Sequence, residues 1–158
     1  MLFQTTAITH DFFTLATNIW LKIELALTKT FQMQEHPMTH ILVVDDSSTE
    51  SHAFRIMLEK KGFTVSFANN GLEGLTKAKA LKPDLILMDV VMPQVNGFQA
   101  TRKLKRDPET AGIPVIIISA KNQETDRVWG LRQGAKGYLS KPVSKEELFN
   151  KINMLINP

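Results

Sequence analysis

Five side chains suited to phosphate or metal chemistry stand at the ends of apolar runs in this chain. Asp45 and Asp46 follow Ile41, Leu42, Val43 and Val44. Asp89 follows the apolar stretch Leu85 to Met88, Ser119 closes a run holding Ile116, Ile117 and Ile118, and Lys141 comes just after Tyr138, Leu139 and Ser140. Three carboxylates brought to one place repel one another strongly unless a cation or a lysine stands between them. Clustered carboxylate oxygens suit a hard cation such as Mg²⁺, which takes few protein ligands and fills its remaining positions with water and phosphate oxygens. Each residue also has an ordinary explanation by itself. Asp45 or Asp46 could cap a helix, and Asp89 could serve a turn ahead of Met92 and Pro93. Ser119 could satisfy a strand-end backbone group, and Lys141 could be a solvated lysine. All five at matching run ends favour a shared site.

That site exists only if the runs are strands whose ends meet. Residues 41–44 are wholly apolar, as a strand buried on both faces should be. The side chains of Asp45, Asp46, Ser47 and Ser48 then offer caps for a helix. Ala53, Phe54, Met57 and Leu58 predict its buried stripe, with an end near Gly62. Residues 64–68 alternate as a strand does, and residues 71–81 read as a helix stopped by Pro83. Residues 85–88 give a third strand, residues 98–106 a helix closed by Asp107 and Pro108, and residues 114–119 a fourth strand. A helix over residues 126–132 stops at Gly134, and residues 137–139 form a brief fifth strand. Ser144 caps the last helix, with Glu147 three residues on in capping-box spacing. Strands alternating with helices predict an α/β fold: a doubly wound, five-stranded parallel sheet covered on both faces. Ligands of such sheets gather outside the carboxyl ends of the strands, near the topological switch point. All five singled-out residues map there.

The ordered blocks VVDDS, LMDVVMPQVNG, IIISA and GAKGYLSKPV resemble the bacterial response-regulator receiver family, the CheY-like domains, over residues 39–157. Any one block is weak and the ordered set is specific. Within the family, NGFQATRKLKRDPETAGIPVIII and QETDRVWGLRQGAKGYLSKPV are most similar to stand-alone regulators of type IV pilus twitching motility. The resemblance implies a flavodoxin-like (βα)5 fold with strand order 2-1-3-4-5. It implies Asp89 as nucleophile and phosphoacceptor, and Mg²⁺ held by Asp46, Asp89 and the backbone carbonyl of Val91, with Asp45 contributing through water. Ser119 takes the position of the switch hydroxyl, Tyr138 that of the switch aromatic, and Lys141 that of the phosphate-pairing lysine, before a cis bond to Pro142. The donor would be a chemotaxis-like histidine kinase. Phosphorylation would shift the fourth helix, fifth strand and fifth helix together, a surface on or near which Val128, Trp129 and Tyr138 fall. Trp129 reads equally as a partner anchor or as a packing residue. Val91 and Lys121 stand where the family governs access of hydrolytic water, and apolar Val91 would slow hydrolysis. The resemblance implies a signalling switch, not an enzyme beyond its own phosphotransfer and dephosphorylation.

Two segments differ in texture. Residues 39–158 carry the receiver pattern, and residues 1–38 form an N-terminal extension. In that extension Phe12, Ala16, Ile19, Ile23 and Leu27 recur at helical spacing near Trp20, so residues 11–31 could form an amphipathic helix. Lys22 and Glu24 interrupt it, leaving the apolar run short of the roughly 20 residues of a membrane span. It lacks the basic start and small-residue cleavage site of a signal peptide. Three origins remain open: an over-long gene start with Met38 as the true one, a partner-binding helix, or a membrane-surface helix. No output domain is expected after residue 158.

Composition narrows the rest. The absence of cysteine excludes disulfides and thiolate chemistry, and it suits a reducing cytoplasm. The net charge of +3 comes from a basic excess that is spread out; its densest cluster, Arg102, Lys103, Lys105 and Arg106, reads as a solvated helix face. No aromatic residue interleaves with them to stack on bases, so nucleic acid is not an expected partner. A monomer binding a histidine kinase and a motility or pilus component is expected. The alternatives are a phosphate sink for a shared kinase and a phosphorylation-independent protein-binding module. An aspartyl phosphohydrolase would want its two aspartates separated by one residue, whereas Asp45 and Asp46 are adjacent. A flavodoxin-like electron carrier would want a glycine in the phosphate loop, which DDSST lacks.

Overall fold

The computed structural model describes residues 38–156 and, in the N-terminal segment, Lys22 alone. Apart from Lys22, the helix expected over residues 11–31 lies outside the described residues. The chain divides into the units Met1–Pro37 and Met38–Pro158, and the second is described here.

Five strands, β1 (His40–Val44), β2 (Thr64–Ala68), β3 (Leu85–Asp89), β4 (Val115–Ser119) and β5 (Gly137–Ser140), form one parallel sheet in the order β2-β1-β3-β4-β5. Five helices connect and cover them: α1 (Ser48–Glu59), α2 (Gly71–Leu81), α3 (Gly97–Arg106), α4 (Glu124–Arg132) and α5 (Lys145–Ile156). This is the expected doubly wound fold with its expected strand order.

The two-residue period of the central strands divides their apolar side chains between two layers. Ile41, Val43, Leu85, Leu87, Ile116 and Ile118 pack with Phe54 and Leu58 of α1 and Leu148 and Ile152 of α5. Leu42, Val44, Ile86, Met88 and Val115 face the other way, onto Ala78 of α2 and Ala100 and Leu104 of α3. That double burial explains why β1, β3 and β4 read as unbroken apolar runs. A third cluster, Val90, Phe98, Ile117, Ala135 and Tyr138, fills the space towards α4.

Four of the five helices start on a capping side chain. Ser47 caps α1 by accepting from the Glu50 amide, Asn70 caps α2, Asn96 and Gln99 form a capping box on α3, and Ser144 accepts from the Glu147 amide at α5. The fourth helix begins at Glu124, earlier than the expected Asp126, and Gln123 gives it no side-chain cap. Only Gly130 of α4 is buried. Ala53, expected on the buried stripe of α1, is exposed. It lies about 100° around the helix from Phe54, beyond the arc that Phe54, Met57 and Leu58 define.

Candidate functional site

Register alone brings the predicted residues together. Val44 lies beside Met88, so Asp45 and Asp89 leave neighbouring strands abreast. Asp89 pairs with Ile118, which puts Ser119 one step beyond it, and Ser119 pairs with Ser140, leaving Lys141 one step beyond that. The Lys141 amide continues the ladder by donating to the Ser119 carbonyl at 2.8 Å. All these groups therefore emerge at one edge of the sheet.

Carboxylate oxygens of Asp45, Asp46 and Asp89 all lie within 4.8 Å of one another, with Asp45 and Asp89 buried and Asp46 exposed. Lys141 Nζ pairs with the two buried ones, 2.8 Å from Asp89 Oδ1 and 3.2 Å from Asp45 Oδ2. It also pairs with the carboxylate of Glu50. The lysine is the cation that such a cluster requires. Three oxygen donors on one side with an open, exposed flank at Asp46 fit a small hard cation that keeps part of its water shell.

Electrostatics follow from this packing. Burial pushes the Asp45 carboxyl up to about 6, opposed by the Ser47 amide, which donates to Asp45 Oδ1 at 2.8 Å, and by Lys141. Burial likewise raises Asp89, against the lowering influence of Lys141 and the Val91 amide. Glu50 is held below its usual range, first by its hydrogen bond from Lys141. The Lys141 ammonium is desolvated, but its hydrogen bonds to Asp89 and Glu50 outweigh that and raise it. In the charge state this implies, the lysine remains protonated and its acidic neighbours compete for it.

Glu50 stands inside α1 and not at a strand end, so the pattern of strand ends does not reveal it. Its signal was present: it lies one helical turn after Asp46, in the first turn of the helix that follows the acidic pair.

The remaining residues divide by burial. Ser119 is fully buried, and its Oγ accepts from the Lys121 amide at 3.1 Å. Tyr138 donates its hydroxyl to the Lys121 carbonyl at 2.7 Å. Lys121 thus links the two residues through its backbone. Val91 exposes its side chain beside the acidic cluster. The Lys141–Pro142 bond is cis. Val128 and Trp129 are exposed on α4. Tyr138, expected on or near the same surface, is 7% exposed: it lines the groove between α4, β5 and α5 while its ring packs inside the cluster of Val90, Phe98 and Ile117. The inward turn follows from β5, where Tyr138 faces the α4 side of the sheet and Gly130 leaves room for the ring. Lys105 also departs from the solvated face expected of it. It is half-buried and donates to the carbonyls of Ala111 and Ile113, closing the loop after α3.

A glycine underlies the acceptor. An added Cβ at Gly97 would lie 2.0 Å from the Asp89 carbonyl oxygen, so only glycine lets α3 start against that backbone.

The family model described as the response regulator receiver domain matches residues 41–153. The chain belongs to the response-regulator receiver family. This receiver is 56% identical over 119 residues to Protein PilH of Pseudomonas aeruginosa, covering 75% of this chain and 98% of that protein. Among solved structures it resembles the Vibrio cholerae chemotaxis protein CheY4, with a TM-score of 0.70 and 28% identity over 75% of this chain and 98% of that one. It also resembles the receiver domain of the Pseudomonas aeruginosa sensor histidine kinase PA1611, with a TM-score of 0.71 and 28% identity over 76% of this chain and 98% of that one. That structure has a magnesium ion coordinated in its active-site cleft. Receivers are signalling domains that bind Mg²⁺ in an acidic pocket and are phosphorylated by histidine kinases. Among the described residues, no helix is long and apolar enough to cross a membrane.

Proposed function

We propose that this receiver accepts a phosphoryl group on Asp89 from a histidine kinase and changes its α4-β5-α5 surface in response. The observation that carries the reading is the convergence of the buried Asp89 carboxylate, Lys141 Nζ at 2.8 Å, and the flanking oxygens of Asp45 and Asp46. A structural ion pair would need one acid; this lysine serves Asp89, Asp45 and Glu50.

An Asp89 oxygen attacks phosphorus in line. The O–P bond forms as the P–N bond of the kinase phosphohistidine breaks, and the electron pair returns to the imidazole. Asp46, Asp89 and the Val91 carbonyl would hold Mg²⁺, with Asp45 contributing through water. When bound, the ion neutralises charge on the transferring group. The product acyl phosphate brings about −1.5 to −2 of charge and three acceptor oxygens next to Lys141. Lys141 then exchanges Asp89 for a phosphoryl oxygen, and Ser119 turns its hydroxyl to another. Because the Lys121 backbone joins Ser119 to Tyr138, that turn reaches the ring beneath α4. The fourth helix, uncapped and with one buried residue, is the element least committed to its position. A few kcal/mol of preferential phosphate interaction with one arrangement is enough to shift the population.

Similarity to PilH and to its class of stand-alone regulators supports a role in type IV pilus twitching motility, fed by a chemotaxis-like kinase. On this reading residues 39–158 act as a monomeric cytoplasmic receiver, and residues 1–38 are an extension. The test is intact mass after incubation with a small acyl-phosphate donor and Mg²⁺, beside Asp89→Ala. One added phosphoryl group in the native chain alone is expected. Equal addition to both proteins, or none in native protein even with a cognate kinase, would overturn the reading.

A further inference from the structure

The linear sequence separates the basic cluster of α3 from any aromatic residue, and the fold removes that separation. Arg102 and Arg106, one turn apart on α3, line a groove of about 520 Å³ with Trp129, Arg132 and Gln133 of the α4 region. Trp129 is 53% exposed, and all three arginines are exposed. Lys105 forms the floor but is committed to the carbonyls of Ala111 and Ile113.

The arginines are poorly explained by the fold's own needs. Placing like charges at i and i+4 costs helix stability, and Arg132 adds a third charge from the facing helix. Arg106 can complement the carboxyl-terminal end of α3, but Arg102 sits in the middle of that helix. Among the described residues, every ion pair involves Lys77, Lys79 or Lys141, and none involves these arginines. The acids of α4, Glu124 and Asp126, lie in its first turn, at the other end from Arg132. An exposed indole ringed by unpaired guanidinium groups is complementary to carboxylates that flank a flat apolar side chain.

We propose that the α3–α4 groove docks an acidic polypeptide segment, seating its carboxylates on Arg102, Arg106 and Arg132 and an aromatic side chain on Trp129. The groove lies on the α3 side of α4 and shares that helix with the α4-β5-α5 face. A small anionic ligand fits less well, because such sites enclose most of their ligand and these walls are exposed arginines. Nucleic acid fits less well too. Its regular charge spacing calls for a continuous basic track, whereas Arg102, Arg106 and Arg132 form one compact cluster around Trp129.

The test is a titration of isotope-labelled full-length protein, followed by amide and indole chemical shifts, at low and at raised salt. The probes are a twelve-residue Asp/Glu peptide with one central Phe, the same peptide with Ala for Phe, a Ser-for-acid control, and a twelve-nucleotide single strand. The Phe peptide is expected to move the Trp129 indole and the α3 and α4 amides, with affinity falling as salt rises. Arg102→Glu and Arg132→Glu should each weaken it about five-fold or more. Trp129→Ala should weaken the Phe peptide by a similar factor and leave the Ala peptide unchanged. Phosphoryl acceptance from a small acyl-phosphate donor by Arg102→Glu and Arg132→Glu should match the native protein, and native-like amide spectra show all three variants folded. Absent binding, shifts confined to β5 and α5, indifference to Trp129→Ala, or tighter binding of the oligonucleotide would each overturn the proposal.

Discussion

Lys141 Nζ lies 2.8 Å from Asp89 Oδ1 while also contacting Asp45 and Glu50. One cation therefore balances three acids at the site, and a metal ion entering the cluster must share them with it. Removing the lysine while retaining its length, as in Lys141→Met, leaves Asp45 and Asp89 buried without a counter-charge. Breaking a buried pair in this way costs about 3–5 kcal/mol where burial is complete, and less here because the lysine is partly exposed. The expected result is a lower urea midpoint in chelator, largely recovered by Mg²⁺. Affinity for Mg²⁺ should rise several-fold, measured by calorimetry, while phosphoryl acceptance falls at least about ten-fold. Unchanged Mg²⁺ affinity would show that Lys141 and the ion do not compete.

Glu50 pairs with the same Lys141 ammonium that contacts Asp89 and is itself half-buried. Its carboxylate competes with an incoming phosphoryl group for the ammonium. With Glu50→Gln the competition weakens, so phosphorylation by a small acyl-phosphate donor at saturating Mg²⁺ should speed up about three- to ten-fold. A rate equal to that of the native protein, measured by mass or fluorescence, would mean that Glu50 only tethers α1.

Burial pushes the Asp45 carboxyl up to about 6 in the metal-free protein, from about 4 when unfolded. Between these values the folded chain holds a proton that the unfolded chain has lost. Its contribution therefore favours folding at low pH and is lost as pH rises from about 4 to about 6. The difference is at most about 3 kcal/mol, since one unit corresponds to about 1.36 kcal/mol. Glu50 works in the opposite direction, being lowered, so its contribution is lost as pH falls. Subtracting the urea-midpoint profile of Asp45→Asn in chelator isolates the Asp45 part. A flat difference profile across pH 4–6 would rule it out.

The frame was legible in the sequence because buried parallel strands leave a simple trace: unbroken apolar runs with polar residues at their ends. Those ends named Asp45, Asp46, Asp89, Ser119 and Lys141 before any geometry was known. Three things were not legible, each because it depends on side chains meeting across elements. The pairing of Glu50 with Lys141 joins the first helix to the loop after the last strand. The inward packing of Tyr138 depends on Gly130 of the neighbouring helix. The burial of Lys105 depends on two carbonyls beyond the end of its own helix. Periodicity describes which face of an element is apolar, not what a long polar side chain reaches.

Gly97 gives a test of how the backbone supports the acceptor. An added Cβ would lie 2.0 Å from the Asp89 carbonyl oxygen and 2.9 Å from the Val90 Cα, both backbone atoms that cannot rotate away. The Gly97 amide also donates to the Val90 carbonyl at 3.1 Å, so α3 cannot retreat without losing that bond. Gly97→Ala should therefore cost about 1–3 kcal/mol of stability and displace Asp89 relative to Lys141. Phosphoryl acceptance should fall by at least about ten-fold in protein that is still folded, because small misplacements of reacting groups are costly. Gly112→Ala is the control, since nothing lies within 4 Å of its added Cβ, and it should match the native protein in both measurements. If Gly97→Ala were as stable and as readily phosphorylated as Gly112→Ala, the close approach of α3 would have no part in positioning Asp89.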